Sequence, residues 1–229
     1  MPCGASHFAM VEAGPDGTGR GGRRCRMRIG CVIMASGEGR RFARIAGAGR
    51  NKLLADAGGV PLVVRTVRSV PAARFEVVVS TRWPEVARVL DGMAPGVPVA
   101  LHEGGFRSDS VRAGLAAGAA RWDGCLFVPG DQPLVSPASY EALARAFEGD
   151  SARAWRLAWQ GAPASPVLFP RACFGALMGL AGKDGGSSLL RCGAVDVSTV
   201  EAMRAEELMD VDTPEDLAAV CRALEGMAG

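Results

Sequence analysis

The protein has 229 residues, of which 48% are hydrophobic and 22% are charged, and its formal net charge is +2. A chain of this length can bury one sizeable core, which predicts a single domain. No apolar run approaches the roughly 20 residues of a membrane span, so we expect a soluble, cytoplasmic protein. Outside the first 28 residues, 21 basic residues are balanced by 22 acidic ones. This balance argues against the basic footprint that is typical of nucleic-acid binding.

Residues 1–27 differ in composition from the rest of the chain. They are rich in Gly and Arg and show no apolar periodicity. They also lack the apolar segment of a secretory signal. We therefore expect a disordered tail over residues 1–27 and one folded domain over residues 28–229.

From residue 29 onwards, short β-branched apolar runs alternate with helix-like stretches. Strands are predicted at residues 29–34, 75–80, 97–102, 124–130 and 165–170. Helices are predicted at residues 60–70, 84–93, 110–122, 136–149, 171–182 and 213–227. Alternation of this kind predicts an α/β fold with a single doubly wound, mostly parallel sheet and helices on both faces. Such sheets bind ligands beyond the carboxyl ends of their strands.

A glycine-containing loop, ASGEGRRF (35–42), follows the first predicted strand. Glycines at this point let backbone amides turn towards an anion, and Arg40, Arg41 and Lys52 add positive charge. The loop matches neither GxxxxGK[ST] nor GxGxxG, and its glycines alone would also fit an ordinary tight turn. Its position directly after a buried strand favours binding of a triphosphate.

Lysine is rare in this sequence. The chain contains 24 Arg but only two Lys, Lys52 and Lys183. A compact ammonium group suits a point contact between phosphates better than a planar guanidinium does. The rarity of lysine therefore indicates a specific role for Lys52. The alternative is that Lys52 is a surface lysine that occurs there by chance.

Two acidic motifs complete the predicted site. In LFVPGDQPLV (126–135), a strand ends at a turn that places Asp131 at the carboxyl edge of the sheet. In LMDVDTPEDL (208–217), Asp210 and Asp212 alternate on an extended stretch and so point to the same side. Mg²⁺ prefers one or two carboxylates together with phosphate oxygens and water. We predict a magnesium site formed by Asp131 with Asp212, or with Asp210 as second choice, while a turn or capping role is the alternative for Asp131.

Several motifs together resemble a known family. They are MASGEGRRF, NKLL, GGVPLV, SDSVRAGL, PGDQPLV, SPVLFP and DVDTPEDL. Over about residues 29–224 the sequence resembles the nucleotidyltransferases that complete molybdenum cofactor, and most of all their cytidylyltransferase branch. The resemblance implies a Rossmann-like, glycosyltransferase-A-like fold. It also implies Mg²⁺-dependent transfer of CMP from CTP to molybdopterin, with release of pyrophosphate.

The same resemblance assigns roles to individual residues. It implies that Lys52, Asp131 and Arg40 are catalytic and that Asp131 and Asp212 hold Mg²⁺. The nucleotide-binding residues that it implies are Ala35, Ser36, Gly37, Gly39, Arg40, Lys52, Ser110, Gly114 and Asp131. His102 lies outside these motifs, and we expect it to be structural.

Three segments depart from the family's pattern. They are an insertion at about residues 43–50, Ser165 where the family usually has Asn, and the segment GKDGG at residues 182–186. The insertion is a candidate mobile flap. The other two fall where the acceptor is expected to bind, so the acceptor is the least defined part of the prediction. CTP and a molybdopterin-type acceptor are the favoured ligands, and a molybdoenzyme or its maturation factor is a candidate protein partner.

Other functions fit parts of the sequence. A guanylyl or sugar-phosphate nucleotidyltransferase would share the fold. A nicotinamide-dependent reductase would use SGEGRR as a dinucleotide loop, but it normally requires GxGxxG and an acidic residue about 20 positions later. Asp56 lies near that distance from Ser36, but no GxGxxG precedes it. A non-catalytic protein that binds nucleotide and escorts a molybdoenzyme is compatible with the altered acceptor-side motifs.

Overall fold

The computed structural model describes residues 26–47 and 49–228, and its strands form one sheet. The strands are β1 (Ile29–Met34), β2 (Phe75–Thr81), β3 (Val99–Leu101), β4 (Gly124–Pro129), β5 (Ala154–Trp159), β6 (Ala162–Pro170) and β7 (Val197–Glu201). Their order in the sheet is β3-β2-β1-β4-β6-β5-β7. Neighbours among the first four strands are parallel, whereas β6 runs antiparallel to both β4 and β5.

Helices cover both faces of this sheet. They are α1 (Arg40–Ala46), α2 (Leu62–Ser69), α3 (Pro84–Met93), α4 (Arg107–Ala116), α5 (Pro137–Gly149), α6 (Phe174–Met178), α7 (Ser187–Arg191) and α8 (Pro214–Ala228). Short 3₁₀ helices lie at Lys52–Leu54, Arg171–Cys173 and Ala205–Leu208. No helix in the described part of the chain is long and apolar enough to cross a membrane.

Strand β1 shows why the fold has two apolar layers. Ile29, Cys31 and Ile33 belong to one core cluster, which they share with residues of α2, α3 and α5. Val32 lies in a second cluster, together with Val111 of α4. Successive side chains of a strand point to opposite faces, and a central parallel strand covered on both sides is therefore apolar throughout. The prediction of a doubly wound, mostly parallel sheet is confirmed.

Most of the predicted elements are present with small shifts. The predicted bounds of β1 and α3 match those observed, and the Ser136 side chain caps α5 by accepting from the Ser139 backbone N–H. The helix predicted at residues 110–122 begins earlier, at Arg107, and ends at Ala116.

The segment after α4 is closely packed. A Cβ atom at Gly118 would lie 2.1 Å from the Trp122 ring, so the indole packs directly against the backbone of this glycine. The segment predicted as one helix at residues 171–182 divides into a 3₁₀ turn and the short α6.

Two further predictions concern the amino-terminal part of the chain. The first residues of the candidate flap at residues 43–50 belong to helix α1, in which Phe42 is buried. The predicted disordered tail covers residues 1–27, and residues 1–25 lie outside the described part of the chain. Arg26, the first described residue, donates a hydrogen bond to the Ala73 carbonyl at 2.8 Å.

Candidate active site

The predicted site residues lie together at the carboxyl edge of β1 and β4. Asp131 follows β4 on a turn that backbone hydrogen bonds hold from two sides. The Gly130 N–H donates to the Met34 carbonyl at 3.0 Å, and the Val211 N–H donates to the Asp131 carbonyl at 3.0 Å. These bonds join the end of β1, the turn after β4 and the segment of residues 210–212. The two predicted acidic motifs therefore meet here, although 79 residues separate Asp131 from Asp210.

The glycine loop has one anchored end and one open end. Ala35 is buried, and its N–H donates to the Ser80 carbonyl at 2.8 Å. A Cβ atom at Gly37 would meet nothing within 4 Å, so the backbone there is open to a ligand. Gly39 adopts a φ of +58°, in the left-handed region that favours glycine, and the Lys52 side chain packs beneath it. The loop thus presents an open backbone directly above Lys52.

Lys52 is the centre of the site. It is only 5% exposed. Its ammonium group donates to Asp131 Oδ2 at 2.5 Å, to Asp212 Oδ1 at 3.1 Å and to the Val211 carbonyl at 2.8 Å. Since an ammonium has three donor protons, all three are used. Lys52 therefore holds the carboxylates of the two acidic motifs close to each other.

The charges in the site shift the pKa values of its members. Burial alone would lower the pKa of Lys52, but the carboxylates of Asp131 and Asp212 outweigh burial and raise it. The pKa of Asp210 is also raised, first by desolvation of its carboxyl group and then by the negative charge of Asp131. Lys52 is thus firmly cationic, whereas Asp210 holds its proton more readily than an ordinary aspartate does.

Two arginines of α1 lie beside this cluster. Arg41 Nη1 is 3.1 Å from Asp212 Oδ2. Arg40 pairs with Glu38, and its side chain is largely exposed to solvent. Both guanidinium groups therefore lie at the mouth of the site, next to the open loop.

The donor set of the site matches the predicted metal in number and type. No group of three or more His, Cys, Asp or Glu side chains in the described part of the chain is arranged to hold a metal ion. Mg²⁺ typically uses only one or two carboxylates and takes its other ligands from phosphates and water. Asp131 and Asp212 bond to the same ammonium group, and their side chains are 21% and 37% exposed. They fit this role, and binding of Mg²⁺ stays a prediction.

A second polar cluster lies further along the same edge. Ser36 Oγ is 2.8 Å from His102 Nε2, which is 3.2 Å from Ser110 Oγ, and Ser110 Oγ donates to Ser36 Oγ at 2.7 Å. Both serines are buried. His102, expected from the sequence to be structural, thus contacts two residues that the resemblance places at the nucleotide. Sequence reasoning missed this triangle, because 66 residues separate Ser36 from His102 and no motif links them.

Gly114, also predicted to bind nucleotide, lies in the packing layer between α4 and β1. A Cβ atom at this position would come within 2.3 Å of Val32 Cγ1. The missing side chain therefore lets the helix approach the sheet closely. A contact between Gly114 and nucleotide stays a prediction.

The GKDGG segment lies next to the amino-terminal end of α4. The Gly182 carbonyl accepts from the Ser108 N–H at 3.3 Å. Asp184 Oδ1 accepts from the Gly186 N–H at 2.9 Å, at the start of α7. The pKa of Asp184 is lowered because hydrogen bonds from Ser188 and from neighbouring backbone amides outweigh desolvation. In this chain the acidic residue of the segment therefore caps a helix.

Comparisons with known proteins place these observations in a family context. The model of the MobA-like NTP transferase domain matches residues 31–202. A nucleotidyl transferase from Methanothermobacter thermautotroptrophicus of known structure is similar with a TM-score of 0.74 and 26% identity, over 87% of this chain and 99% of that one.

Curated proteins also match part of the chain. A bifunctional enzyme IspD/IspF of Clavibacter michiganensis is 35% identical over 155 residues, which are 64% of this chain and 36% of that protein. A 3-deoxy-manno-octulosonate cytidylyltransferase of Chlorobium phaeobacteroides is 35% identical over 120 residues, which are 52% of this chain and 45% of that protein. The chain thus spans less than half the length of either relative.

Proposed function

Because the chain belongs to the family of MobA-like NTP transferase domains, we propose that it transfers a nucleoside monophosphate from a nucleoside triphosphate to a phosphorylated acceptor. One observation carries this proposal. The Lys52 ammonium bonds to Asp131 and Asp212 directly beneath a loop whose backbone is open at Gly37. This arrangement combines an anion-binding loop with a pair of carboxylates suited to Mg²⁺.

The proposed reaction needs positioning and charge neutralisation more than covalent catalysis. An oxygen of the acceptor's phosphate attacks the α-phosphorus in line, and the bond to pyrophosphate breaks as the new bond forms. The loop amides, with Arg40 and Arg41, would hold the triphosphate. When bound, Mg²⁺ would be held by Asp131 and Asp212 and would neutralise charge on the phosphates. Since the acceptor brings its own nucleophile, the mechanism requires no covalent intermediate on the protein.

The favoured substrates are CTP and a molybdopterin-type acceptor. The turn at Asp131 reads GDQPL, as in the cytidylyltransferase branch that the sequence resembles, and one of the curated relatives is named a cytidylyltransferase. Ser36, in the first loop, is small but still carries a side chain that would crowd a purine. We therefore expect CTP to be used in preference to GTP.

A sugar nucleotidyltransferase is the second candidate. The matched relative named 3-deoxy-manno-octulosonate cytidylyltransferase supports it, because its name specifies a sugar acid as acceptor. Ser165 and residues 182–186 depart from the molybdenum cofactor pattern on the side where an acceptor is expected. Both candidates share the triphosphate site and differ only in the acceptor.

One experiment tests the proposal and separates the candidates. The protein is incubated with Mg²⁺, each of the four triphosphates and either a molybdopterin-type acceptor or a panel of sugar acids and sugar phosphates, while pyrophosphate release is followed. CTP-dependent release with the molybdopterin-type acceptor is expected. Release with sugar acceptors alone would favour the second candidate, and equal or better use of GTP would contradict the cytidylyl assignment. Absence of release with every combination would contradict nucleotidyl transfer.

A further inference from the structure

The end of β2 holds two carbonyl groups of the glycine loop. The buried Thr81 hydroxyl donates to the Ala35 carbonyl at 2.6 Å and accepts from the Trp83 backbone N–H at 3.1 Å. The Trp83 indole N–H then donates to the Gly37 carbonyl at 3.3 Å. Alternate carbonyls of the loop, those of residues 35 and 37, are therefore both bonded to the short segment of residues 81–83.

These bonds set the direction of the amides that follow. In a planar trans peptide group, the C=O of one residue and the N–H of the next point in opposite directions. Because the carbonyls of Ala35 and Gly37 point towards the end of β2, the N–H groups of Ser36 and Glu38 point away from it. Strands β2 and β4 lie on opposite sides of β1 in the sheet. The two amides therefore face the side on which β4 ends and Asp131 lies.

The amides on this side of the loop are available to a ligand. Within the described part of the chain, no N–H of residues 36–38 donates to a backbone carbonyl, whereas the Ala35 N–H just before them donates to Ser80. Successive amides directed at one point form a concavity that binds anions. If the Gly37 peptide group rotated, its carbonyl would face the same space and would repel the oxygens of a phosphate. The orientation of this peptide group therefore decides how well the loop receives an anion.

Gly37 cannot fix that orientation by itself, because glycine is conformationally permissive. Trp83 supplies the restraint from outside the loop. Its half-buried side chain packs against the first core cluster. On the ring, the guanidinium carbon of Arg82 lies 4.4 Å from the ring centroid, within the range of a cation–π interaction. The indole is thus held between the core and Arg82 while its N–H bonds to the loop.

We propose that Trp83 is a positioning residue that holds the Gly37 peptide group so that the loop amides face the phosphates of a bound triphosphate. Thr81 holds the Ala35 carbonyl in the same way. Trp83 acts through the loop backbone, so its effect concerns the phosphates and not the nucleoside. This inference rests on the proposed function, because it concerns the triphosphate of that reaction.

The test measures binding of CTP and of inorganic tripolyphosphate in Mg²⁺ by calorimetry. Tripolyphosphate carries the phosphates without a nucleoside. Trp83→Phe keeps an aromatic ring but removes the indole N–H, and it should weaken both ligands by the same factor, about threefold to tenfold, the effect of one hydrogen bond. Thr81→Val removes the hydroxyl and should also weaken both ligands equally. Thr81→Ser keeps the hydroxyl and should bind both ligands as the parent does.

Trp155→Phe is the matched control, because the Trp155 indole also donates to a backbone carbonyl, that of Asp150 at 2.9 Å, but lies near the start of β5. It should leave both affinities unchanged. Weakening of CTP alone in Trp83→Phe would assign Trp83 to the nucleoside and overturn the proposal, as would parental binding of both ligands. If Trp83→Phe fails to fold, the comparison of Thr81→Val with Thr81→Ser decides in the same way. These outcomes leave nucleotidyl transfer standing, whereas a parent protein that binds neither ligand would contradict both proposals.

Discussion

Replacing Lys52 by alanine tests the centre of the site most directly. The substitution removes the ammonium group that bonds to Asp131 and Asp212 and leaves two adjacent carboxylates without that positive charge. Arg41 still contacts Asp212 at 3.1 Å, so the compensation is only partial. We therefore expect losses of both stability and activity, through the same two carboxylates.

The magnitude follows from the burial of the partners. Removing one member of a fully buried ion pair costs about 3–5 kcal/mol, whereas an exposed pair contributes about 0–1 kcal/mol. Lys52 is buried, but the Asp131 and Asp212 side chains are 21% and 37% exposed, and solvent screens part of the interaction. An intermediate loss of about 1–3 kcal/mol is expected, which lowers the melting temperature by roughly 3–9 °C in a domain of this size.

Magnesium provides an internal check on this reasoning. Because Mg²⁺ supplies positive charge to the same carboxylates, the melting temperature of Lys52→Ala should recover more on replacing EDTA by Mg²⁺ than that of the parent. Nucleotide transfer should fall by about two orders of magnitude or more, since a preorganised charge is lost. Lys52→Arg should restore only part of the activity, because the planar guanidinium differs from ammonium in shape and hydration.

Lys183→Ala is the matched control. Lys183 is the other lysine of the chain and is exposed, so its removal should leave the melting temperature unchanged in both EDTA and Mg²⁺. Differential scanning fluorimetry and pyrophosphate release measure the two effects. An unchanged melting temperature of Lys52→Ala in EDTA would refute the electrostatic argument, and complete rescue by arginine would reduce Lys52 to a general positive charge.

Three other predictions concern separate features. Asp131→Ala should retain the fold but lose transfer by orders of magnitude, because a predicted metal ligand is removed; near-parental turnover in Mg²⁺ would contradict the metal assignment. Deleting residues 1–26 should change activity and melting temperature little, since Arg26 contributes one exposed hydrogen bond; a large fall in either would show that this stretch packs on the domain. Burial raises the pKa of Cys31 above its ordinary value of 9.0, because the fold favours the neutral thiol over the thiolate. The unfolded chain therefore loses this proton more readily, and the free energy of unfolding should decrease as the pH rises above 9.0. A thiol reagent at about pH 8 should therefore label exposed Cys192 in the native protein but Cys31 only after unfolding, and native labelling of Cys31 found by mass spectrometry would contradict its burial.

The sequence predicted the elements whose pattern is set by burial. Strand β1 is apolar over its whole length because it is covered on both faces, and its bounds were predicted correctly. Strands β5 and β7 were not predicted. Arg156 interrupts the apolar pattern of β5, and β7 forms the edge of the sheet, where Val197 is exposed. Partial burial therefore leaves too weak a pattern to identify these strands.

The same limit applies to the candidate site. The rule that ligands bind at the carboxyl ends of strands placed the glycine loop and Asp131 at one edge, and the structure brings them together there. The sequence associated Lys52 with phosphates and Asp131 with a metal, whereas the structure shows a direct bond between them. Lys52 and Asp131 are 79 residues apart in the sequence. Their contact depends on the tertiary structure, and no local sequence pattern predicts it. The contact of His102 with Ser36 escaped prediction for the same reason.

The bonds of Lys52 to the two carboxylates are compatible with its predicted contact with phosphate. Lys52 and Mg²⁺ would each offer positive charge to the carboxylates of Asp131 and Asp212, so bound Mg²⁺ would weaken the attraction of these carboxylates for Lys52. The Lys52 ammonium also bonds to the Val211 carbonyl at 2.8 Å, a contact that does not depend on the two carboxylates. It lies beneath the glycine loop, so the nearest new source of negative charge would be a bound triphosphate. The bonds of Lys52 to the carboxylates and its predicted contact with phosphate would then belong to different stages of ligand binding.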